Sequence, residues 1–217
     1  MKTLKDVAKE LVAPGKGILA ADESTKSANK RLRSAGIAET PEMRRVYREV
    51  FLTAPGIEKH LSGVILYDET FFDTTREGIS FVELLEKKGV YPGIKVDKGT
   101  VPFGAHEVVT EGLEGLPERL KGYREKGARF AKWRAVIEIK GDEFPSKEMV
   151  HEDAMRLAIY AKQCQEADIV PVLEPEVLLQ GSHTRARASE VIEEVLQEVF
   201  REVAAQGAGP EALIIKS

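Results

Sequence analysis

Cysteine is nearly absent: Cys164 is the only one in 217 residues. A single thiol cannot close a disulfide within the chain, so no covalent staple is available and a reducing compartment is expected. A dominant charge is missing too. With 32 Lys and Arg against 36 Asp and Glu, the net charge is −4, which removes the electrostatic case for nucleic acid or an anionic membrane as partner. No apolar run approaches the ~18 residues of a membrane-spanning helix. At the N-terminus Leu4, Val7, Ala8, Leu11 and Val12 recur at helical spacing among charged residues, where an export signal would need an unbroken apolar stretch. A cytoplasmic protein is therefore the expectation. The four histidines, His60, His106, His151 and His183, show no metal-ligand spacing. A Walker loop, a zinc motif and a nucleophile-elbow serine are all lacking.

What is present is a 42% hydrophobic fraction with 31% charged residues, enough for a real core under a polar surface. The length favours one α/β domain, read here as residues 1–217. Strand-like and helix-like segments alternate throughout. Gly17–Ala21 leads to Asp22, Ser62–Tyr67 to Asp68, and Gly93–Val96, which contains Lys95, to Asp97. Phe130–Ile139 carries Lys132 and Arg134, Asp168–Leu173 leads to Glu174, and Ala212–Ile215 leads to Lys216. Short apolar strands covered by helices point to a parallel sheet with right-handed crossovers. Thr40-Pro41 starts a helix whose apolar face is read as Val46, Val50 and Phe51. Helices are also expected over Ser80–Lys88, Leu116–Lys126, Ser146–Glu166 and Arg185–Ala205, with Gly89 and Gly127 as C-caps. A doubly wound sheet is the alternative, but no Gly-x-Gly-x-x-Gly follows the first strand. The preferred fold is a (β/α)8 TIM barrel represented by about six of its eight βα units.

Charged tips on apolar strands are how such a barrel assembles an active site. Three lysines, Lys95, Lys132 and Lys216, lie in or at the ends of apolar strands. Gathered at one mouth they would repel each other and lose water, and both effects free an amine lone pair for attack on a carbonyl. Imine formation also needs an acid to expel water and a base to move protons. Glu174 and Glu176 stand at one strand tip and Asp22 at another. Asp22-Glu23-Ser24-Thr25-Lys26-Ser27 follows the first strand, with Lys30 and Arg31 beyond it, and hydroxyls plus cations at a strand-to-helix junction suit a phosphate group. Arg134 adds a further cation two residues from Lys132. Trp133, between them, should face the opposite side and pack under a helix.

Four segments carry a resemblance: Ile18-Leu19-Ala20-Ala21-Asp22-Glu23-Ser24, Gly93-Ile94-Lys95-Val96-Asp97-Lys98-Gly99, Phe130-Ala131-Lys132-Trp133-Arg134 and Ile169-Val170-Pro171-Val172-Leu173-Glu174-Pro175-Glu176. Together, and in this order, they resemble class I fructose-1,6-bisphosphate aldolase over essentially the whole chain. The resemblance implies a metal-independent lyase without a cofactor, acting on a phosphorylated sugar as a homo-oligomer, typically a tetramer. It implies Lys216 as the Schiff-base nucleophile, Glu174 as the acid/base of carbinolamine dehydration and Glu176 as its neighbour. Asp22 would handle the C4 hydroxyl proton and Lys132 would position that hydroxyl. Lys95, Arg134, Ser24, Ser27 and Arg31 would hold phosphate. Lys26 stands where the family commonly has glycine, and Ser217 where proline is usual. The family's last two strands, with their C1-phosphate ligands, have no counterpart, so a truncated chain with an exposed strand edge and little activity is expected. The alternative from another class is a non-catalytic binding module on the same framework.

Overall fold

A computed structural model describes residues 2–217. In chain order the elements are α1 (Leu4–Leu11), β1 (Gly17–Ala21), α2 (Thr25–Ser34), α3 (Pro41–Leu52), β2 (Leu61–Leu66), α4 (Asp68–Phe71) and α5 (Phe81–Lys87). They continue with β3 (Tyr91–Lys95), β4 (Thr100–Phe103), β5 (Glu107–Thr110), α6 (Leu116–Glu125), β6 (Phe130–Ile137), α7 (Lys147–Glu166), β7 (Val170–Val177), α8 (Arg185–Gln206) and β8 (Ile214–Ile215). The hydrogen-bonded strand order is β1-β2-β3-β6-β7-β8, the succession expected when each parallel strand is laid beside the last. All six expected strands are present within a few residues of their anticipated bounds. The chain divides into two compact units, one of Lys9–Lys95 with Tyr123–Ala131, the other of the residues up to Ala8, Val96–Gly122 and Lys132–Ser217.

In the first unit β1, β2 and β3 pair in parallel, with Ala21 opposite Leu66 and Leu66 opposite Ile94. Two strand glycines make room for one ring. A Cβ on Gly93 would lie 2.3 Å from Phe130, and one on Gly63 would meet Leu11 at 2.7 Å and Phe130 at 2.9 Å. Those are distances at which no side chain fits beside an aromatic already fully buried.

The helix α3 departs from its expected orientation. Thr40 caps it as anticipated, its hydroxyl accepting from the Met43 amide at 3.2 Å, a bond worth about 1 kcal/mol. Of Val46, Val50 and Phe51, read as its core face, the two valines are exposed and Phe51 is half-buried, and the buried residues are Arg44, Arg48 and Leu52. The arginines reach carboxylates. Arg44 forks onto Glu69 at 2.8 and 2.6 Å and onto Asn29 at 2.9 Å, and Arg48 meets Glu23 at 2.7 Å. A bidentate partner offsets the desolvation that otherwise keeps arginine outside.

The second unit holds most of β6, then β7 and β8. Val172 pairs with Ile214 and Leu173 with Ile215 in parallel. Ser146 and Thr184 cap α7 and α8, each accepting from an amide at 3.2 Å. Trp133 behaves as anticipated, fully buried against Tyr160 of α7 with ring centroids 5.4 Å apart. The antiparallel hairpin β4–β5 was not foreseen and interrupts the βα alternation.

Candidate active site

Alternation along a strand puts every second side chain on one face. On β6 that pairs Lys132 with Arg134, and on β7 it pairs Glu174 with Glu176, while the intervening Trp133 and Pro175 point into packed protein. The two strands then match charge for charge. The Lys132 ammonium lies 2.6 Å from Glu174, and the Arg134 guanidinium donates to Glu176. The last strand adds a third member. Because Leu173 pairs with Ile215 and the Lys216 amide donates to the Leu173 carbonyl at 2.9 Å, Lys216 is laid beside Glu174. Its ammonium donates to one oxygen of that carboxylate while Lys132 approaches the other. One buried carboxylate thus stands between two amines. Desolvation reaches the lysines unequally: the Lys132 side chain is 7% exposed, the Lys216 side chain 46%. The Lys132 ammonium is thus almost fully withdrawn from water, and the Lys216 side chain keeps about half of its surface in contact with it.

Asp97, just after β3, is hydrogen-bonded to the backbone of this row. Its carboxylate accepts from the Arg134 amide and the Gly99 amide, each at 3.3 Å. It braces the cation-bearing part of β6, a role that only the fold discloses.

The other expected site residues belong to the first unit. Asp22 follows β1 directly and is buried, and Lys95 ends β3 half-buried. Ser24 is the N-cap of α2, accepting from the Ser27 amide at 3.3 Å, with its hydroxyl 3.2 Å from that of Ser27. Both hydroxyls thus gather at a helix start, where amides face outward. Arg31 is exposed and donates to Glu23. Glu23 is a hub the sequence reading passed over. It accepts from Arg31, Arg48 and Tyr47, and Arg48 also binds its carbonyl at 2.8 Å. Burial pushes the Glu23 carboxyl up, but Arg48 and Arg31 outweigh it and hold the group below the usual range. The loop carrying Asp22 and Ser24 is therefore tied to α3 by a charged cross-brace. Its one sequence signal is the Arg44/Arg48 pair, four residues apart.

No helix among the described residues is long and apolar enough to cross a membrane. Comparison with known proteins agrees with the motif order. The model of the family Fructose-bisphosphate aldolase class-I matches residues 3–217. A probable fructose-bisphosphate aldolase class 1 of Xanthomonas axonopodis pv. citri is 46% identical over all of this chain and 65% of its own length. The fructose-bisphosphate aldolase of Echinococcus multilocularis is 47% identical over all of this chain and 60% of its own. Cytosolic aldolase 6 of Arabidopsis thaliana is 51% identical over 84% of this chain and 51% of its own. The solved structure of fructose-bisphosphate aldolase from Plasmodium falciparum, in complex with TRAP and an inhibitor, superposes with a TM-score of 0.95 at 41% identity, over 98% of this chain and 62% of that one. The chain thus spans about 65% or less of the length of these relatives. Its fold class is the mixed α/β architecture of the TIM-barrel aldolases, represented by six parallel strands. On the family match and these identities, the chain belongs to the class I fructose-bisphosphate aldolases.

Proposed function

We propose that the chain carries the Schiff-base half of a fructose 1,6-bisphosphate aldolase, organised as one barrel domain over residues 1–217. The observation that supports this reading most is Glu174, a buried carboxylate flanked by the amines of Lys132 and Lys216. The Lys216 amine adds to the C2 ketone, and the resulting carbinolamine loses its hydroxyl as water with a proton delivered by Glu174. The product is a protonated imine. A base, assigned to Asp22 by the family resemblance, takes the C4 hydroxyl proton. The C3–C4 bond then breaks, its electron pair flows into the imine to form an enamine, and glyceraldehyde 3-phosphate departs. Protonation at C3 and hydrolysis release dihydroxyacetone phosphate and restore the amine. The protein supplies its own electron sink in the iminium.

The remaining roles complete the proposal. Lys132, next to Glu174, helps the proton transfers and orients the C4 hydroxyl. Lys95, Arg134, Ser24, Ser27 and Arg31 bind phosphate, and Glu176 holds Arg134 in place. Because Arg134 and Arg31 already donate to carboxylates, a phosphate would share these cations with Glu176 and Glu23. A cytoplasmic location and assembly into a homotetramer complete the reading.

The test is trapping. The chain is incubated with dihydroxyacetone phosphate, reduced with borohydride, digested and mapped by mass spectrometry. The expected result is one reduced adduct on Lys216, abolished in Lys216→Met. A folded chain that gives no adduct, or one on another lysine, would overturn the assignment.

A further inference from the structure

In the second unit, α7 and α8 bring together three groups of metal-ligand type. His151 lies in the second turn of α7, and Glu198 and Glu202 lie four residues apart on one face of α8. The His151 Nδ1 is 2.7 Å from a Glu198 oxygen and 3.6 Å from a Glu202 oxygen, and one ligand atom from each residue lies within 4.8 Å of the others. Two ligands about 2.1 Å from a tetrahedral zinc ion lie roughly 3.4 Å apart. The two His–Glu spacings bracket that value, and the third lies within 4.8 Å, a set that rotamer changes of the three side chains can draw together. We propose that His151, Glu198 and Glu202 form a surface site for a divalent transition-metal cation, binding it between α7 and α8.

Charge and access both fit. One imidazole and two carboxylates suit zinc, cobalt or nickel better than calcium or magnesium, which prefer all-oxygen sets. The Arg201 guanidinium now occupies the place of the cation. It donates to Glu198, lies 3.3 Å from Glu202, and lies 3.4 Å from the His151 nitrogen. Its side chain is 63% exposed, so it can swing into water when a doubly charged ion takes over its partners. A groove of about 620 Å³ opens beside the cluster, with Lys147, Val150 and Glu194 in its walls. It leaves room for the waters that complete a three-ligand set. Glu202 and Glu198 are the less exposed members, at 13% and 21%, which anchors the carboxylates while His151 closes from the other helix.

The experiment titrates the metal-free chain with cobalt(II) and with zinc(II). Binding is read by calorimetry, by the visible absorption of cobalt, and by the shift in melting temperature. One equivalent is expected to bind and to raise the melting temperature. His151→Ala and Glu202→Gln should each weaken binding at least about tenfold, the factor that about 1.4 kcal/mol represents. Arg201→Gln should bind more tightly, because the competing cation is gone. All three positions are on the helix surface, and far-UV circular dichroism verifies that each variant is folded. Absence of one-site binding would overturn the proposal, as would an affinity unchanged in His151→Ala and Glu202→Gln, or no gain in Arg201→Gln.

Discussion

Glu174 is the residue on which the arrangement turns. It is buried, it belongs to β7, and its two oxygens meet ammonium groups from β6 and from the residue after β8. Replacing it with glutamine keeps the shape and removes the charge. Lys132, itself buried, then loses the carboxylate that offsets its desolvation. Breaking a buried pair in this way costs about 3 kcal/mol or more, and, under the proposed mechanism, losing a positioned acid slows the chemical step by about 10²–10⁴-fold. The expected outcome for Glu174→Gln is a lower urea midpoint together with slow borohydride-trapped adduct formation at Lys216. Normal trapping kinetics in that variant would remove Glu174 from the mechanism. At this scale the sequence was readable where a charge interrupts an apolar run, as at Lys132, Glu174 and Lys216. It was misleading at α3. Val46 and Val50 look like core and Arg44 and Arg48 look like surface, yet the burial is reversed. The reversal depends on Glu69 and Glu23, each 25 residues from its arginine, and no local pattern reports such partners.

Among the elements, α7 shows both what periodicity reveals and what it hides. Met149, Ala154, Leu157, Ala158 and Ala161 are buried as their spacing implies, and so is Asp153. The Asp153 carboxylate accepts from the Thr110 amide of β5 at 3.0 Å, so it fastens the unforeseen hairpin to the helix. Burial pushes its carboxyl up to about 7, against the pull of the Thr110 amide and Arg156 and with a further push from Glu152. In the unfolded chain the group titrates near 3.8. Between those values the folded state holds a proton that the unfolded state has released. Stability therefore falls as pH rises through that window, by up to about 1.4 kcal/mol per pH unit, and the loss is complete above the folded value. Asp153→Asn cannot ionise, so its chemical-denaturation midpoint should fall less steeply between pH 4 and pH 7 (on the order of those limits) than the parent's. Equal slopes would show that Asp153 is not held in its neutral form. The hairpin was missed for a plain reason. Thr100–Phe103 and Glu107–Thr110 are four-residue strands, the first containing Pro102, and neither is long enough to display a period.

For the molecule as a whole, composition speaks most directly about charge. A net charge of −4 without a long basic run predicts that the chain does not bind duplex DNA at about 0.15 M salt, where screening limits surface attraction to roughly 8 Å. A fluorescence-anisotropy titration should stay flat, and saturable binding that weakens with added salt would contradict the prediction. The amino-acid sequence alone determined the order of the main strands and helices, the cap at Thr40, the burial of Trp133 and the charged residues in and beside the apolar strands. Each is written in a short window, through a period of two or 3.6 or through one residue beside an apolar run. Tertiary structure alone decided which amine is buried and which is half-exposed, the face on which α3 packs, the neutral-prone setting of Asp153 and the meeting of His151 with Glu198 and Glu202. Those depend on groups 25 to 51 residues apart in the chain (Arg48 to Glu23, and Glu202 to His151). Burial and pairing between such distant groups arise only when the backbone has brought them together.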